Sequence, residues 1–127
     1  MSTEIHYDRE QNILHIVVQD VITVADFGDL LELITHGEEY PPDVPALWDL
    51  CEIDAREADP GMIDNLIAIR QRYPERGNTR LALLTSSDLA FGLSRMYEAL
   101  SADLPQLIRV FKDRATAEQW LQEQDTS

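Results

Sequence analysis

The amino-acid sequence predicts an α/β fold of order ββαβαβαβα. That is a mostly parallel sheet of about five strands, with one antiparallel edge strand and four helices. Three observations lead there. The chain opens with two apolar strand-like runs joined by a short polar loop. Beyond them, short apolar runs alternate with amphipathic segments that start on capping residues. The length of 127 residues and the hydrophobic content of 44% suit one domain, residues 1–127, with a core that needs no disulfide or metal.

The elements follow in order. Ile5–Asp8 and Ile13–Val18 read as strands, and Arg9–Asn12 as the loop of a hairpin. With Asp8 opposite Ile13, His6 faces His15, and Ile5, Tyr7, Leu14 and Ile16 share the face that meets the helices. Thr23 caps the first helix, with Asp26 three residues on as a shortened capping box. Phe27, Leu30, Leu31 and Ile34 give its buried stripe, and Gly37 ends it. Pro41-Pro42 keep the next loop extended, and Ala46–Leu50 is a short central strand. Asp59-Pro60 opens the second helix, with Ile63, Leu66, Ile67 and Arg70 in one stripe. Gly77-Asn78 turns the chain into a strand over Thr79–Thr85. The third helix covers about Asp88–Ser101, with Leu89, Leu93, Met96 and Leu100 expected inside and Gly92 expected at a close helix contact. Leu107–Phe111 is the last strand. Asp113 caps a final helix that turns Ala117, Trp120 and Leu121 inward.

Charge narrows the partners. The net charge is −14, and residues 1–64 hold only Arg9 and Arg56 against sixteen acids, while the remainder is balanced. Clustered Lys and Arg, which phosphate binding requires, are missing, so nucleic acid and anionic membranes are disfavoured. Such acidity serves solubility or a basic protein partner. The single cysteine, the missing basic-then-apolar leader and the lack of a run of roughly 20 apolar residues point to the cytoplasm.

The element order, the length and the segment Ser87–Glu98, SDLAFGLSRMYE, resemble the STAS domains, the anti-sigma-factor-antagonist-like or SpoIIAA-like fold. More narrowly they resemble the small stand-alone bacterial STAS/SEC14-type proteins, and the likeness covers nearly the whole chain. The resemblance implies a binding or regulatory module rather than an enzyme. It also implies a phosphorylatable serine where the third strand enters the second helix. Residues 54–61 here read DAREADPG, with no Ser or Thr, so the phosphorylation switch is absent from that junction. Asp59 there is either an N-cap or a fixed negative charge in the phosphate's place.

Candidate sites are few. Ser86, Ser87 and Asp88 stand at the end of a parallel strand and the start of a helix, which suits a polar ligand or a plain serine cap. Phe91 and Arg95, with Glu98, are expected on the exposed face of the third helix as a partner contact. His6 and His15 are a weak metal pair without a third ligand, and no metal or cofactor is expected. Cys51 lies beside Asp49 and Glu52, which raise its thiol pKa, and reads as a buried structural cysteine.

Three readings result. The first is a non-catalytic module that binds a protein partner, or itself, through the third helix. The second is a carrier of a small molecule or lipid in a cavity between helices and sheet, against which the stripes look filled. The third is an enzyme using Asp49, Asp59 or Ser87, which lack an acid–base or nucleophile constellation.

Overall fold

The computed structural model describes residues 2–21, 23–41, 43–56, 60–74, 79–104 and 106–123. The elements are β1 (Ser2–Asp8), β2 (Ile13–Asp20), α1 (Val24–His36), β3 (Ala46–Ile53), α2 (Pro60–Arg70), β4 (Arg80–Leu84), α3 (Asp88–Leu100), β5 (Leu107–Phe111) and α4 (Arg114–Gln122). The strands form one sheet in the order β1-β2-β3-β4-β5. β1 pairs antiparallel with β2, and every later pair is parallel.

The hairpin has the expected register, with Asp8 opposite Ile13 and His6 opposite His15. Its turn is tied by the Asp8 carboxylate, which accepts from the backbone N–H groups of Glu10 and Gln11. Asn12 takes the left-handed conformation, φ 57°, and its side chain accepts from the Tyr7 hydroxyl at 2.5 Å.

Parallel strands need crossovers, and here α1, α2 and α3 supply them. Because each crossover steps the same way across the sheet, the three helices share one face. The core on that face joins Leu14, Ile16, Trp48 and Leu83 of the strands to Phe27 and Ile34 of α1 and Ile63 of α2. The alternate strand residues Ile13, Leu47, Ala82 and Leu84 point the other way, onto Ala117, Trp120 and Leu121 of α4. Thr23 completes the expected capping box with Asp26. Asp113 caps α4 by accepting from the Thr116 N–H.

Four expectations are corrected. β3 continues three residues past Leu50: a bulge shifts its register against β2, the Asp49 carboxylate accepts from the Cys51 N–H, and the strand then pairs with Gln19 and Asp20. β4 is shorter than expected, with Thr79 and Thr85 buried just outside it.

The larger correction concerns α3. It buries Ala90, Ser94 and Tyr97, while Leu89 and Leu100 are 49% and 52% exposed. The inward face lies roughly 100° around the helix from the leucine stripe. Gly92, finally, sits at no close contact, since a Cβ built there would meet nothing within 4 Å. The expected turn at Gly77-Asn78 lies outside the described residues.

Candidate functional site

The rotation of α3 leaves a space. With Ala90 and Ser94 facing inward, the helix does not fill the volume over the sheet, and a half-open cavity of about 450 Å³ remains between the sheet and α1–α3. Trp48 and Leu83 form its floor, and Phe27, Leu66 and Leu93 its walls. The expectation of filled stripes is therefore corrected. Each helix does carry apolar residues, but the leucines of α3 border the space or leave it. An empty apolar void costs about 24 cal/mol per Å³. For 450 Å³ that is on the order of 10 kcal/mol if the space stayed dry and vacant, an upper figure for a half-open cavity. Net stabilities of whole domains are only about 5–15 kcal/mol. A space of about 450 Å³ with a mainly apolar lining falls within the size range of small-molecule sites.

Among the described residues two charged side chains line it, Arg70 and Asp54. Asp54 is held by Arg56, whose Nε and Nη2 donate to its carboxylate at 3.0 and 2.9 Å. The Arg56 side-chain and backbone hydrogen bonds pull the Asp54 pKa down to about 2. Arg70, in the last turn of α2, is only 8% exposed. Its Nη1 donates to the Tyr97 hydroxyl at 3.4 Å, and its guanidinium carbon lies 5.3 Å from the centre of the Tyr97 ring. Its Nη2 is buried and has no hydrogen-bond partner among the described residues. Burial, opposed by the arginine, raises the Tyr97 pKa. Arg70 stands in the stripe of Ile63, Leu66 and Ile67; a charge in register with an apolar face is the signal in the sequence that could have found it.

The strand–helix junction after β4 is internally satisfied. Ser87 caps α3 by accepting from the Ala90 N–H at 3.1 Å, and Ser86 donates to the Cys51 carbonyl at 2.9 Å. Asp88 accepts from Lys112 Nζ at 2.9 Å, which lowers its pKa. Phe91 is half-buried rather than exposed, with Lys112 Nζ 4.8 Å from its ring centre. Arg95 is exposed and pairs with Glu98 at 3.1 Å.

No protein-family model and no curated protein matches this chain. A solved structure does. It is an uncharacterised protein of the DUF3478 family, with a SpoIIAA-like fold, from Shewanella loihica PV-4. The two superpose with a TM-score of 0.62 over 94% of this chain and 92% of that one, at 17% sequence identity. The chain has the SpoIIAA-like fold.

On this SpoIIAA-like frame the remaining candidates can be placed. Asp59 lies outside the described residues. Asp49, at the β3 bulge, accepts a hydrogen bond from Arg114 of α4 as well as from Cys51 N–H. Cys51 is half-buried, and burial together with Asp49 pushes its thiol pKa up. The His6 and His15 rings stack with centroids 6.4 Å apart. Among the described residues no group of three or more potential ligands gathers around a metal position. His15 is partly buried beside Gln11, and burial lowers its pKa. Since sheet order follows chain order, the acidic half of the sequence becomes the β1–β3 side of the molecule. No helix among the described residues is long and apolar enough to cross a membrane.

Proposed function

We propose that this SpoIIAA-like chain is a non-catalytic, cytoplasmic binding module whose ligand is a small, mainly apolar molecule held between the sheet and α1–α3. The observation that carries this reading is the cavity of about 450 Å³, within the range of small-molecule sites. It is about three times the ~150 Å³ apolar cavity that suffices for benzene. Of the readings open to the sequence this is the carrier of a small molecule or lipid, in the SEC14-like sense. The usual phosphorylation switch is not part of this reading, since residues 54–61, which lead into α2, hold no Ser or Thr.

The test is titration with a neutral apolar fluorophore such as N-phenyl-1-naphthylamine. Saturable enhancement by the wild-type protein is expected, with loss in Ala90→Phe and Leu93→Trp, which place bulk in the cavity. Fluorescence that stays flat with the wild type, or that is the same in folded filled variants, would refute the reading.

A second reading keeps a protein partner or a second copy at α3. The exposed leucines Leu89 and Leu100 favour it, on one helix face that also carries half-exposed Leu93 and Met96. Phe91, Arg95 and the Ser86–Asp88 junction border that helix. Leu89→Gln with Leu100→Gln would weaken association in sedimentation velocity at unchanged stability; wild-type protein that stays monomeric and partner-free would exclude it.

A further inference from the structure

We propose that Arg70 is the head-group site of this cavity and binds the single carboxylate of an otherwise apolar ligand. The inference rests on the ligand-binding reading above and adds the ligand's charge and the residue that reads it.

A guanidinium inside a protein keeps its charge and has five N–H donors to place. That of Arg70 is more than nine-tenths buried, and its Nη2 has no hydrogen-bond partner among the described residues. A buried donor left unmade is costly, and an unpaired buried charge more so. The described cavity lining offers no counter-ion. Asp54 is the one carboxylate there, and Arg56 already holds it through two side-chain hydrogen bonds. Tyr97 supplies an acceptor for Nη1 and a ring face, but neither carries a full negative charge.

Tyr97 sharpens the geometry. Its oxygen accepts from Arg70, and among the described residues its own proton goes to no acceptor. Arg70 and Tyr97 both line the space, and Phe27, Trp48, Leu66 and Leu93 line it with carbon. Nη2 itself is closed off from solvent, so the guanidinium turns to present it to a carboxylate on binding. Two donors with a fixed positive charge match the two oxygens of a carboxylate. The remaining volume suits a chain. About 450 Å³ holds roughly fifteen groups the size of a water molecule, enough for decanoate with its carboxylate. A dianionic head would leave a net negative charge buried against one arginine, and a cationic head would repel it. A monoanion alone balances the site.

The experiment is isothermal titration calorimetry of delipidated protein with decanoate, decanol and decyltrimethylammonium, each below its micelle concentration. The variants are Arg70→Met, Arg70→Lys and, as a control on the opposite side of the sheet, Arg109→Met. Expected is at least tenfold tighter binding of decanoate than of decanol, and no binding of the cation. Arg70→Met should remove that preference, Arg70→Lys should keep part of it, and Arg109→Met should keep all of it. Equal affinities for decanoate and decanol that Arg70→Met leaves unaltered would overturn the head-group assignment and leave the ligand-binding reading standing. Binding of neither by wild type would overturn both.

Discussion

Arg70 and Tyr97 join α2 to α3 through one hydrogen bond of 3.4 Å and a cation–ring contact of 5.3 Å, both at the wall of the cavity. Removing the hydroxyl by Tyr97→Phe orphans Arg70 Nη1 as well as Nη2. A loss of about 1–3 kcal/mol is expected in urea unfolding of the ligand-free protein. In an Arg70→Met background the same substitution should cost less than about 0.5 kcal/mol, because the donor it strands has gone. Equal costs in both backgrounds would show that the hydroxyl acts without the arginine.

Gly92 lies in the middle of α3, exposed, with open space where a Cβ would stand. A glycine in that position costs helix stability through backbone freedom and serves no packing purpose. Gly92→Ala should stabilise the protein by about 0.5–1 kcal/mol in chemical denaturation. A destabilised variant would reveal a contact at this face.

Ser87 is the N-cap of α3. Ser87→Ala should lower stability by about 1 kcal/mol, and Ser87→Asp should restore it, since a carboxylate also accepts from the N3 amide and favours the helix N-terminus. If the serine instead serves ligand recognition through its hydroxyl proton, Asp would fail to rescue ligand binding. Denaturation and calorimetry on the two variants separate the roles.

His15 gives a pH signature. Burial lowers its pKa from the usual value, with Glu118 and Asp8 opposing and Arg114 and His6 reinforcing. Below about pH 6.5 the unfolded chain therefore binds more protons at this residue than the folded one. Stability should fall as pH drops from 7 through that region and level off once the folded-state pKa is passed. His15→Gln should flatten this part of the curve in urea titrations between pH 7 and 5. Asp54, Asp88 and Asp113 have lowered pKa values, so their contributions persist through this window and are lost only at lower pH. An identical slope in wild type and variant would assign the effect elsewhere.

Much of the fold was legible. Alternation plus a four-residue polar loop sets the β1–β2 register, because a slip by one residue would turn Leu14 and Ile16 to the wrong face. The caps at Thr23, Ser87 and Asp113 are visible as residue types ahead of apolar periodicity. The end of β3 was not legible, since the apolar run stops at Leu50, and the continuation to Ile53 depends on the Asp49 side chain bonding the bulged Cys51 amide. Nor was the facing of α3. Its leucines repeat at helical spacing as a core stripe would, yet the helix turns Ala90, Ser94 and Tyr97 inward. Periodicity reports that a helix has an apolar side; it does not report that a fold leaves space beneath a smaller one. For that reason the sequence argues against the cavity, and Arg70 reads there only as one member of the α2 stripe.

Native mass spectrometry of the protein as purified, released under gentle conditions, tests most directly whether the cavity is occupied. The prediction is a species heavier than the bare 14.5 kDa chain by one small anionic, mainly apolar molecule, displaced by added decanoate and missing from Leu93→Trp. A bare-chain mass from every expression condition, unchanged after incubation with decanoate, would contradict it.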